Sequence, residues 1–101
     1  MHEIERETLE FPQSKAKLHL IKKGNIVMLH LDSFANRIEQ NESIAIPKIF
    51  MPEKITDFII VAHRAGDAEQ GGNIRITMNY IQVNRPIEPG YILQTTWIAK
   101  Y

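Results

Sequence analysis

The chain has 101 residues, 44% hydrophobic and 24% charged, which is enough for one globular domain and too little for two. Twelve basic and twelve acidic residues cancel to zero net charge. That removes the electrostatic footprint of a general nucleic-acid binder and leaves little repulsion against self-association.

Residues 1–7, MHEIERE, read as a polar, flexible lead-in to a single β domain over 8–101. Lys17 to Ile21 alternates, Lys22-Lys23-Gly24-Asn25 supplies a turn, and Ile26 to Leu31 resumes as strand, so a hairpin is expected. Ser33 to Asn41 reads as a loop with one helical turn. Glu42 to Ile46 reads as a short strand closed by Pro47. The unbroken apolar run Phe58 to Ala62, inside a strand over Thr56 to His63, predicts burial on both faces. A polar, glycine-containing loop follows, from Arg64 to Gly72. Asn73 to Tyr80 alternates cleanly, and the phase break at Ile81 and Val83 predicts a bulge near Tyr80-Ile81. Pro89-Gly90 marks a turn, and Tyr91 to Lys100 reads as a final strand.

About seven short strands without a convincing helix mean an all-β fold, a small β-sandwich or barrel. Val27, Leu29, Phe58, Ile60, Ile74, Ile76 and Met78 are the expected core. Ile21, Ile26, Met28, Ile81 and Ile92 fall on a second apolar phase, which a homotrimer would bury between copies.

Motifs for catalysis are missing: there is no GxSxG, Walker loop, HExxH or EF-hand loop. Ser14, Ser33 and Ser43 sit in no nucleophile elbow, so a non-enzyme with no cofactor is expected. The absence of cysteine excludes a disulfide framework, a thiolate nucleophile and Cys-ligated metal centres. His19, His30 and Asp32 offer a His-His-carboxylate set, but the histidines alternate with leucines and belong on a solvated face. The basic residues are scattered and lack neighbouring aromatics, which argues against single-strand nucleic-acid binding. No apolar run approaches the roughly 20 residues that span a bilayer. The acidic N-terminus, with Glu3, Glu5, Glu7 and Glu10, is the opposite of a secretion or transit signal.

What remains is a polar loop on a β scaffold, a common place for binding. His63, Arg64, Asp67, Glu69 and Gln70 supply donors and ionised acceptors suited to sugar hydroxyls. Trp97, the only tryptophan, would supply a ring face, although a lone Trp on a terminal strand serves more often as core or interface.

Several segments together resemble the receptor-binding and tail-fibre head domains of tailed phages that infect Gram-positive bacteria. Leu18 to Val27 looks like their opening "basic residue, Gly-Asn, apolar" hairpin. Ile46-Pro47-Lys48-Ile49-Phe50-Met51-Pro52 resembles the "IP…F.P" crossing, and Asp57 to Ala62 the strand after it. Asn73-Ile74-Arg75-Ile76 resembles the "G.I.I" strand, and Tyr91 to Trp97 the aromatic closing strand. The resemblance covers roughly Lys15 to Tyr101. It implies a trimeric, jelly-roll-like head at a virion's tail or baseplate, in contact with other tail proteins, that binds host cell-wall saccharide. The site residues it implies are His63, Arg64, Asp67 and Trp97. Such heads usually follow a shoulder and neck, which the few residues before Thr8 do not supply. An excised head or a purely structural tail or baseplate module therefore both stay open, beside an enzyme or an unrelated small β protein.

Overall fold

The computed structural model describes residues 4–32, 36–54, 57–64 and 71–101. Its strands are β1 (Ile4–Glu10), β2 (Lys17–Lys23), β3 (Ile26–Asp32), β4 (Ser43–Ala45), β5 (Asp57–Val61), β6 (Asn73–Thr77), β7 (Tyr80–Arg85) and β8 (Ile92–Ile98). They form two four-stranded antiparallel sheets, β1-β2-β3-β8 and β4-β7-β6-β5. A 3-10 turn, Lys48–Phe50, is the sole helical element among the described residues. The β-sandwich expected from alternation is the fold found, with one strand more than expected.

Period-two alternation gives each sheet one apolar inner face. Leu18 and Leu20 on β2, Val27, Leu29 and Leu31 on β3, and Leu93 on β8 are buried against Ile74, Ile76, Ile81 and Val83 of the second sheet. Each such side chain stabilises the fold by about 1.5–3 kcal/mol relative to exposure. The β2–β3 hairpin forms as expected around Gly24-Asn25. Gly24 has φ 62, the positive value that the first loop position of a type II′ turn requires.

Four expectations give way. The polar lead-in is, from Ile4 onward, a strand paired along all of β2, from Ile4↔Lys23 to Glu10↔Lys17. As an edge strand it needs little apolar content, and Leu9 alone of its side chains packs against the core. β5 is also an edge strand, so its burial is one-sided: Phe58 and Ile60 pack on the core while Ile59 is 52% exposed. The phase break after Thr77 is a turn rather than a bulge. The Thr77 hydroxyl accepts from the backbone N–H groups of Asn79 and Tyr80 and donates to the Tyr80 carbonyl, reversing the chain without glycine or proline. The register irregularity lies instead at Asn73/Ile74. The turn resets the phase, so Ile81 is fully buried rather than outward, and Met78 sits half-buried in the turn.

The sheets are tied at both ends. At one end the buried Glu42 carboxylate accepts three backbone N–H groups, from Gln13 (3.1 Å), Ser14 (2.8 Å) and Glu39 (2.8 Å). It thereby joins the β1–β2 turn to the segment entering β4. At the other end Glu53 N–H donates to the Ile98 carbonyl and Lys100 N–H to Met51, both at 2.8 Å. Glu42→Ala strands three N–H donors, and a loss of about 2–4 kcal/mol is expected. It would appear as a lower urea midpoint at unchanged m-value. Glu42→Gln, which keeps an acceptor oxygen, should lose less.

Candidate functional site

The base of the loop from Arg64 to Gly72 is firmly built. Ala62 N–H donates to the Gly72 carbonyl at 2.9 Å, and Gly71 N–H donates to the Ala62 carbonyl at 3.0 Å. One residue on, His63 and Ile92 exchange backbone hydrogen bonds of 2.8 and 2.7 Å, which pins the loop to the start of β8. Gly71 lies flat against Tyr91, whose ring carbons would be 2.0–2.4 Å from any added Cβ. Gly72 has φ +100, and the Pro86 carbonyl oxygen would meet its Cβ at 2.1 Å. Both glycines are thus required by close approach and backbone conformation.

His63 and Arg64 are brought together at this corner, both exposed. The Arg64 guanidinium lies 5.4 Å from the centroid of the buried Tyr91 ring, a cation–π contact that orients its stem. Beside them, between β5 and β8, runs an open depression of about 390 Å³. Its walls are Ile59, Val61 and Ile92, with His63 and Gln94 as polar members. Gln94 was not expected from the sequence; its place beside His63 follows from the β5–β8 juxtaposition, which no local motif encodes. Asp67, Glu69 and Gln70 lie outside the described residues.

Trp97 does not join this group. Its side chain points between the sheets, 8% exposed, and the indole N–H donates to the Phe50 carbonyl at 2.7 Å. The polar edge is committed to the Phe50 carbonyl and most of the ring to the core, and the part left open lines a separate depression with Pro52, Glu53, Lys54 and Ile98, away from His63.

The histidine pair is where the sequence places it. His19 and His30 are register partners, in one cross-strand row with Thr8 and Gln94. Thr8 Oγ1 lies 3.3 Å from His19 Nδ1, and Gln94 Nε2 2.9 Å from His30 Nδ1. The Asp32 side chain lies outside the described part of the chain, and no trio of potential metal ligands converges among the described residues.

The row belongs to the outer face of the first sheet. There Ile4, Ile26, Met28 and Ile98 are each 51–54% exposed. An open depression of about 560 Å³ lies on this face, lined by Ile21, Met28, the two histidines and Gln94. The outer face of the second sheet is mixed, crossed by the row Ser43, Gln82, Arg75, Ile59, with Tyr80 also exposed on it. Arg75 grips Asp57 with two parallel bonds of 2.6 and 2.5 Å. No protein-family model matches the chain, and no curated protein sequence matches it.

Two outcomes follow from this geometry. Trp97→Phe leaves the Phe50 carbonyl without its donor, which should cost about 1–3 kcal/mol in a denaturant titration, while ligand binding by the folded variant stays unchanged. The hydrogen bonds from Arg75 hold the Asp57 carboxyl below its ordinary 3.8, outweighing slight desolvation, with charge attraction adding to them. A carboxyl lowered by folding stabilises the native state fully above the unfolded value and loses that advantage as pH falls through the folded one. The stability difference between wild type and Asp57→Asn should therefore be level above about pH 5 and shrink below 3.8. Parallel melts across that range would check it.

Proposed function

We propose that this chain is a receptor-binding module of a tailed phage's tail or baseplate, which grips a saccharide or polyol phosphate of the host cell wall. The observation that supports this best is the clamped base of the Arg64–Gly72 loop beside the β5–β8 depression. The clamped base fixes where His63 and Arg64 leave β5 and where the chain returns at Gly71, which lowers the ordering cost of binding at that corner. His63, Arg64 and Gln94 supply donors there, and the sequence adds Asp67, Glu69 and Gln70 on the same loop.

The recognition is polar. Trp97 and Tyr91 are both buried, so neither offers a free ring face to a sugar. Hydroxyls would pair with the carboxylates and amide, and a phosphate with Arg64, whose fork suits two parallel hydrogen bonds. Each site would bind weakly, since a polyol gives up strong hydration, and a homotrimer would recover affinity by avidity.

A second proposal is a structural tail or baseplate module with no receptor role. The apolar outer face of the first sheet favours it, because assembly rather than sugar binding uses such a surface. The double variant Arg64→Ala/Asp67→Ala separates the two. In a receptor module it should lower adsorption to host cells by at least tenfold while thermal stability changes little. Unchanged adsorption would remove the receptor role from this loop.

A further inference from the structure

We infer that the outer face of the β1-β2-β3-β8 sheet is the surface through which copies of this chain meet. This assigns self-association to a pair in place of the homotrimer proposed above, and the face shares Ile92 and Gln94 with the depression beside His63.

Among the described residues, five large apolar side chains that are exposed share this one face: Ile4, Ile26, Met28, Ile92 and Ile98. Its size suits an interface. Four strands at about 4.8 Å and seven residues at about 3.3 Å give a footprint of roughly 440 Å². Two copies together cover about 900 Å² before side-chain relief is counted, close to the roughly 1,000 Å² that a specific interface needs.

The occupant follows from the register. A second copy turned about an axis along the strands, between β2 and β3, lays β1 over β8 and β2 over β3. Every cross-strand row then falls on itself. Ile4 faces Ile98 and Ile21 faces Met28, in the rows that run through Lys23–Ile26 and Arg6. Thr8 faces Gln94 and His19 faces His30 in the next row. Ile4–Ile98 and Ile21–Met28 are apolar matches and the Thr8 row is uncharged throughout, while Lys23 falls on Ile26, Arg6 on Thr96 and Glu10 on Ile92 at the margins of the face. A turn about an axis across the strands would instead set Ile4 on Glu10, Lys23 on Lys17 and Ile21 on His19, which loses the apolar matches and opposes like charges. Lys23, beside the hairpin turn, and Arg6, on the edge strand, are exposed and can carry their charged ends to solvent over apolar stems. Facing sheets pack about 10 Å apart, a gap that side chains from both copies fill. A contact that lays each row on itself is isologous, so it closes a pair.

The test is the mass of the full-length chain by light scattering and sedimentation at about 100 µM, where a contact with a micromolar dissociation constant is populated. Wild type should run at twice 11.7 kDa. Met28→Glu, whose side chain stands outside the core, should fold normally by circular dichroism and run at 11.7 kDa. Ile98→Glu on the same face should behave alike, and stands in if Met28→Glu does not fold. Tyr80→Glu, on the second sheet, should keep the wild-type mass. A monomeric wild type overturns the inference, including the case where a different protein covers the face. Folded Met28→Glu and Ile98→Glu at wild-type mass overturn it too, as does dissociation by Tyr80→Glu alone. Association that survives while Arg64→Ala/Asp67→Ala adsorbs normally removes the receptor proposal and leaves this one standing.

Discussion

Strand β8 is paired along one edge and pinned at both ends of the other, and the shape of the domain depends on it. One edge pairs with β3 from Ile26↔Ile98 to Asp32↔Ile92. The other is fixed only at its ends, by the chain entering β5 through Met51 and Glu53 and by the chain leaving it through His63. Two layers that alternation alone would leave free to slide are thereby locked together. Between the two pins β5 and β8 are not paired strands. The domain is thus a sandwich closed part of the way into a barrel, and the space left at the unpaired stretch is the depression beside His63.

The same closure decides which residues can act together. His63 and Gln94 are 31 positions apart in the chain and line one depression because β8 returns past β5. Arg64 is oriented by Tyr91, which is itself held by the flat contact of Gly71. Rigidity at the foot of the loop therefore comes from backbone bonds and one buried ring, while the variable chemistry is left to side chains beyond it. The burial of Trp97 belongs to this division: the aromatic with the largest surface is spent on joining the 3-10 turn to β8 rather than on a ligand.

Elements whose side chains alternate between core and solvent were legible from the sequence. The β2–β3 hairpin, its Gly24-Asn25 turn, the inward leucines of both strands and the pairing of His19 with His30 all follow from period two and one glycine. Elements that depend on a distant partner were not. β1 is too polar to announce itself, since it is stabilised by register with β2 rather than by its own apolar face. The turn at Thr77 is made by a hydroxyl, so composition gives no glycine or proline to mark it. Phe58 to Ala62 looks central because it is apolar throughout, yet it lies at an edge whose outward residues face the depression. For the candidate site, loop and corner were visible as a polar cluster, whereas the contribution of Gln94 and the loss of Trp97 required the topology.

The two remaining free edges have a consequence for solubility. A chain with no net charge has no long-range repulsion to keep its copies apart, so protection against runaway aggregation must come from local shape and local charge. An unpaired strand edge is the usual template for fibre growth. Here one such edge is β1, with Glu5, Arg6, Glu7 and Glu10 along it, and the other is β4, which is three residues long. Both are poor templates for adding another strand. Lateral polymerisation is blocked at the edges while the apolar face stays open, so crowding should yield small particles of fixed size rather than ribbons.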